Sequence, residues 1–198
     1  MNATGRGPDD LLAESAEVHE RNLRIGVRVL AGSTIMFFLA FVFAYFYLRS
    51  LNSNGLWRPR GVDPPQGYGA TIVILFVLSA GSVAYAAHTA RHGRPWLFVA
   101  SLSLILGLAG CVVQAFEYAH LGFGPQSGGY ASVFIGWTVF FVVFVLPVIY
   151  WVETLLAEGL RNRHGPGPKV PPGLDELAFY WQLLAAIGVI AWVILYLI

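Results

Sequence analysis

One cysteine, Cys111, is the only thiol in 198 residues. It leaves no intrachain disulfide to form and excludes a two-cysteine copper site. Charge is scarce as well: Asp, Glu, Lys and Arg make up 12% of the chain, and the formal net charge is +1. That balance gives no electrostatic case for a nucleic acid partner. The sequence shows no nucleophile–base pair, phosphate-cradling glycine loop or metalloprotease signature. All five histidines lie outside the centres of the apolar runs, so none offers a haem ligand at membrane depth. Internal repeats are absent, and only Pro147 interrupts an apolar run, which argues against a transporter. The first 24 residues are polar, so no cleavable signal peptide is expected.

Hydrocarbon is what the chain has in quantity. Hydrophobic residues are 57% of it and aromatics 15%, and charge-free runs of about 18 residues or more recur. Five spans follow, at about 29–48, 68–87, 96–117, 130–151 and 177–198. The expected fold is an all-α integral membrane protein, a five-helix bundle filling 29–198 as one unit. Residues 1–28 precede it as a cytoplasmic or interfacial segment, with 9–28 read either as an amphipathic helix along the surface or as a solvated leader before the first span. Span four should run on as a polar helix to about Leu160 and bend at Pro147. Ser103, Gly107 and Cys111 recur every fourth residue of span three, a small-residue stripe that invites a close neighbour. Nine Lys and Arg fall on one side of the membrane and three on the other, which puts the N-terminus in the cytoplasm and the C-terminus outside.

Glu117 stands out because a carboxylate beside hydrocarbon is costly and therefore a functional candidate. Gln114 lies one helical turn before it and Tyr118 next to it. Three readings stay open: proton binding, the holding of Gln114 and Tyr118 in a polar cluster, or a carboxylate that simply ends span three at the membrane surface. In every case it should be buried against protein and paired. His88 and His92 have the i, i+4 spacing of metal ligands. They share a basic turn with Arg91 and Arg94 and have no carboxylate or thiolate near them, which favours contact with lipid headgroups over metal.

The run Gln114-Ala115-Phe116-Glu117-Tyr118, followed by Pro125-Gln126-Ser127-Gly128-Gly129-Tyr130-Ala131-Ser132-Val133-Phe134, resembles the core signature of subunit III of haem-copper oxidases. That family shows Gln-x-x-Glu-Tyr closing one helix and Ser-Asp/Gly-x-Tyr-Gly-Ser-x-Phe opening the next. Further matches are Ser33 to Phe38 with Ala44 to Arg49, then Gly136-Trp137-Thr138, then Tyr180-Trp181 after Glu176. Five helices resemble the short bacterial form. The resemblance implies a non-catalytic subunit of a proton-pumping terminal oxidase in the bacterial inner membrane. It would pack on subunit I, with subunit II also in the complex, hold phospholipid and bind no metal, while haem and copper stay in the partner subunits.

Departures from the family pattern are specific. Thr34 stands where the first-span carboxylate is expected, Phe141 and Phe144 where two histidines are, and Gln182 where the last-helix histidine is. Most of the family's membrane-embedded polar groups are thus apolar here, while Gln114 and Glu117 remain, so the role implied is packing and lipid contact. Two alternatives are an accessory membrane protein of a nitric oxide reductase and a stand-alone transporter.

Overall fold

A computed structural model describes residues 16–52, 55–163 and 170–198. Five long helices account for nearly all of them, and the described residues contain no strand. They are α1 (Ala16–Ser50), α2 (Gln66–Arg91), α3 (Leu97–His120), α4 (Gly129–Asn162) and α5 (Leu174–Trp192). A 3₁₀ turn at Pro125–Ser127 precedes α4, and a π-helical turn at Val193–Leu197 extends α5. Helix is the necessary solution, because a lipid-exposed backbone must satisfy every N–H and C=O within its own segment. All five are long and apolar enough to cross a membrane.

Two helices overrun the bilayer. At 1.5 Å per residue, α1 and α4 are each about 50 Å long against a hydrocarbon core of about 30 Å. The described part of the segment expected along the surface, from residue 16 to Arg28, is the first stretch of α1 and continuous with the span. The rest of that expectation, residues 9–15, lies outside the described residues. The polar extension of α4 reaches Asn162 and buries Val152, Leu155, Leu156 and Gly159. A side chain at Gly159 would collide with Trp96, which is why the helix is bare there.

Sharp ends come from backbone chemistry. Helix α2 closes with Gly93 at φ 68°. The N–H of Gly93 bonds the Ala90 carbonyl, and that of Arg94 bonds the Thr89 carbonyl. This is the Schellman pattern, and the left-handed residue it needs is the glycine of the basic turn.

The tightest seam runs between α2 and α3. Ser103, Gly107, Gly110, Gln114 and Glu117 are the buried polar and glycine positions of α3, spaced alternately by four and three. The small-residue stripe therefore swings to Gly110, and Cys111 is left half-buried. Ser79 Oγ donates to the Ser103 carbonyl at 2.7 Å, and Ser103 Oγ donates back to the Ser79 carbonyl at 2.8 Å. Trp181 of α5 donates its indole N–H to Ser79 Oγ at 2.9 Å, tying three helices at one point. Ser79→Ala leaves that indole buried without an acceptor. A loss of about 1–3 kcal/mol in a detergent unfolding titration is expected, and an unchanged midpoint would deny the tie any energetic weight.

Aromatic rings fill the space among α1, α2 and α4. Phe38 meets Phe141 and Phe144 at ring-centroid distances of 6.2 and 5.3 Å, and Phe76 meets Phe141 at 5.5 Å. Such edge-to-face pairs supply packing where histidines would demand hydrogen-bond partners.

Candidate functional site

Glu117 is fully buried near the C-terminal end of α3. Both its oxygens are occupied. Gln114 Nε2 donates to Oε2 at 2.6 Å, and the Tyr196 hydroxyl donates to Oε1 at 2.5 Å. Gln114 is in place because residues three apart share a helix face. Tyr196 arrives from the π-helical turn at the far end of the chain. Its ring lies over Gly69 of α2, where any side chain would overlap it, and packs edge-on to Phe134 at 5.4 Å.

The end of α5 exposes carbonyls that its own helix does not bond. Gln66 Nε2 donates to the Tyr196 carbonyl at 2.5 Å, and the Tyr130 hydroxyl donates to the Leu195 carbonyl at 2.5 Å. The start of α4 has the mirror problem of unused N–H groups. The connection between α1 and α2 meets it: Gly129 N–H bonds the Leu56 carbonyl at 3.3 Å, and Tyr130 N–H bonds the Trp57 carbonyl at 2.9 Å. That approach requires Gly128, whose φ of 146° is unfavourable for a side chain and whose added Cβ would strike Pro59 and the Leu56 carbonyl. Tyr130 is then enclosed by Trp57, Tyr45 and Phe134, with the Arg58 guanidinium 4.5 Å above its ring. Ser132 Oγ donates to the carbonyls of Pro125 and Gly128, and Gly124 N–H donates to Ser127 Oγ at 3.1 Å. The stretch from Gln114 to Phe134 is thus a knot that joins the ends of α2, α3, α4 and α5.

Of the polar cluster expected from sequence, the structure brings Gln114 to Glu117 and adds Tyr196. Tyr118 is half-buried, and the hydrogen bonds to the Glu117 carboxyl come from Gln114 and Tyr196 instead. Tyr196, Gln66 and Trp57 carry no local signal; they reach the knot through contacts up to 130 residues apart in sequence.

Thr34 is fully buried on α1, where its Oγ1 donates to the Leu30 carbonyl at 2.8 Å and lies 2.9 Å from the Tyr180 hydroxyl of α5. A hydroxyl pair therefore ties α1 to α5 at Thr34. Dicyclohexylcarbodiimide is expected to leave the peptide Val29–Leu48 unlabelled, and mass spectrometry showing an adduct there would refute this. Phe141 and Phe144 belong to the aromatic cluster already described. Gln182 is exposed on the outer face of α5.

His88 and His92 do share a face, with ring centroids 4.5 Å apart. Arg91 turns away from them and grips Asp175 of α5, with Nη2 2.7 Å and Nε 3.0 Å from Oδ1. Arg24 of α1 pairs with Glu176 at 3.2 Å. Two ion pairs thus bind the N-terminal end of α5 to α1 and α2. Among the described residues, no three His, Cys, Asp or Glu side chains come together as a metal site.

The family model for cytochrome c oxidase subunit III matches residues 10–198. Cytochrome c oxidase subunit 3 of Marchantia polymorpha is 28% identical over 189 residues, covering 90% of this chain and 69% of that protein. The Latimeria chalumnae protein of the same name is 27% identical, covering 89% and 70%. That of Pelomedusa subrufa is 29% identical, covering 90% and 69%. The chain therefore spans about two thirds of the length of these relatives. Their shared name does not favour the nitric oxide reductase alternative.

Proposed function

The chain belongs to the cytochrome c oxidase subunit III family, and from that premise we propose that its work within the oxidase is mechanical. It is a multi-pass, non-catalytic oxidase subunit. Its five-helix body would hold subunit I, with subunit II in the same complex, and haem and copper would reside in those partners. Electrons would pass from cytochrome c to oxygen without entering this polypeptide.

The observation that carries this reading is the enclosure of Glu117. Its two oxygens accept from Gln114 and Tyr196, and both donors are themselves fixed by packing between helices. A carboxylate so occupied is a fastening; a proton carrier needs an exchange partner. Thr34 adds a hydroxyl tie between α1 and α5 at the position where a first-span carboxylate would take up protons.

Phospholipid would cover the broad apolar faces of α1 to α4, where Met36, Phe43, Phe98 and Tyr150 stand well exposed. His88, His92 and Arg94 would meet headgroups beside the Arg91–Asp175 pair. The excess of Lys and Arg supports a cytoplasmic N-terminus and an external C-terminus. Resemblance to the short bacterial form supports the bacterial cytoplasmic membrane as the location.

Affinity purification of the tagged full chain with haem spectroscopy tests the proposal. Oxidase haem at a constant ratio to the tagged chain is the expected result. A stable, haem-free monomer as the sole product would end it.

A further inference from the structure

Polar groups on the outer faces of the spans nearly all return to their own helix. Ser33 Oγ donates to the Val29 carbonyl and Thr71 Oγ1 to the Gly67 carbonyl. Half-buried Ser82 and Ser101 do the same with Leu78 and Leu97. A hydroxyl can do this because it reaches the carbonyl one turn back. Gln182 differs. It is exposed on α5, and no hydrogen bond to its amide is found among the described residues. It sits about 12 Å along the helix from Leu174, below the interfacial acids Asp175 and Glu176, at hydrocarbon depth. Acyl chains offer an amide neither donor nor acceptor, so a surface facing lipid is the wrong environment for it.

The residues around it form a pattern. The exposed positions of α5 are Asp175, Phe179, Gln182, Ala186, Val189 and Ile190, the first five spaced alternately by four and three. That is the spacing of a helix-packing seam, and it runs down one side of a helix whose other sides are buried in the bundle. Small Ala186 lies one turn beyond the amide, where a neighbouring backbone could come close. Helices α1 and α2 scarcely touch each other, while both touch α5. The upper end of the seam is framed by Arg28 of α1, 5.1 Å over the Phe179 ring, and by Arg91 of α2 on Asp175.

We propose that the Phe179–Gln182–Ala186 seam of α5 is the seat of a transmembrane helix from another subunit, which presents a hydrogen-bonding side chain to the Gln182 amide. The inference rests on the reading that this chain works inside a multisubunit oxidase, and it adds which face meets the partner. The amide excludes an all-hydrocarbon occupant, and the small Ala186 one turn on leaves room for a helix backbone beside it.

The test uses the intact purified complex, with a photoreactive benzophenone residue in place of Gln182 and, as control, in place of lipid-facing Phe98, which is 80% exposed. Illumination should join position 182 to a transmembrane peptide of another oxidase subunit, identified by mass spectrometry, and position 98 to lipid. Lipid adducts alone at 182, an adduct to a second copy of this chain, or no protein adduct there would each overturn the proposal. Oxidase subunits that co-purify normally in that case would leave the preceding reading standing; their absence from the preparation would remove both. As a second measure, Gln182→Leu should raise the fraction of this chain stripped by a detergent wash about threefold, the effect of one interhelical hydrogen bond in a membrane. Gln182→Asn should restore part of the loss. Equal retention of Gln182→Leu and the unaltered chain would contradict a hydrogen-bonded partner.

Discussion

Tyr130→Ala is expected to remove this chain from the assembled complex. The side chain is fully buried, so truncation leaves a cavity among Trp57, Tyr45 and Phe134 and forfeits about 3–5 kcal/mol of packing. It also strips the Leu195 carbonyl of its donor and the Arg58 guanidinium of its ring. A native domain has about 5–15 kcal/mol of stability in total, so a loss of this size takes away much of it. Tyr130→Phe keeps the ring and removes only the hydroxyl, for about 1–3 kcal/mol. Denaturing-detergent titrations of the two variants should therefore separate clearly. Equal midpoints would mean that the enclosure of the ring contributes nothing beyond its hydrogen bond.

Tyr196→Phe carries the second large effect and isolates the fastening of Glu117. The ring still packs on Phe134 and lies over Gly69, while Oε1 of the buried carboxyl loses its donor. Leaving a buried acceptor unpaired costs about 1–3 kcal/mol, and more when the group is charged. Glu117→Leu combined with Tyr196→Phe should cost less than the two single changes added together, because neither Oε1 nor the tyrosine hydroxyl is then left unpaired, although the buried Gln114 amide still loses its acceptor. The sign of the coupling decides the matter: a double variant no better than the sum of the singles would show that the two groups do not depend on each other.

How far these contacts were readable from sequence depends on their range. The five spans declare themselves through uninterrupted hydrocarbon, and Gln114 and Glu117 through helical spacing alone. The Schellman turn at Gly93 is equally local. Tyr196 is different. Nothing among the last apolar residues marks one tyrosine as the partner of a carboxyl 79 positions earlier, and a π-helical turn leaves no compositional trace. The displacement of the small-residue stripe from Cys111 to Gly110 has a related cause. Strict fourth-residue counting drifts around a helix of 3.6 residues per turn, and the true seam alternates four and three. Gln182 was legible as a departure from a family pattern, but its outward orientation depends on where α1 and α2 part, a tertiary fact.

The ion pairs at the head of α5 show the opposite case, where sequence suggests one partner and structure supplies another. Arg91 sits in a basic turn and reads as a headgroup contact. Asp175 in the first turn of α5 is placed to receive it, and negative charge is favoured at a helix N-terminus. Arg91 therefore closes the bundle against α5.

The central question for this subunit is whether the buried carboxyl fastens helices or serves the redox chemistry. Glu117→Ala, introduced into the full chain and purified with its complex, answers this through haem absorbance per mole of assembled complex. Fewer complexes with an unaltered haem spectrum and ratio is the result that follows from a fastening. A normal yield of complex with diminished or shifted haem absorbance would contradict it.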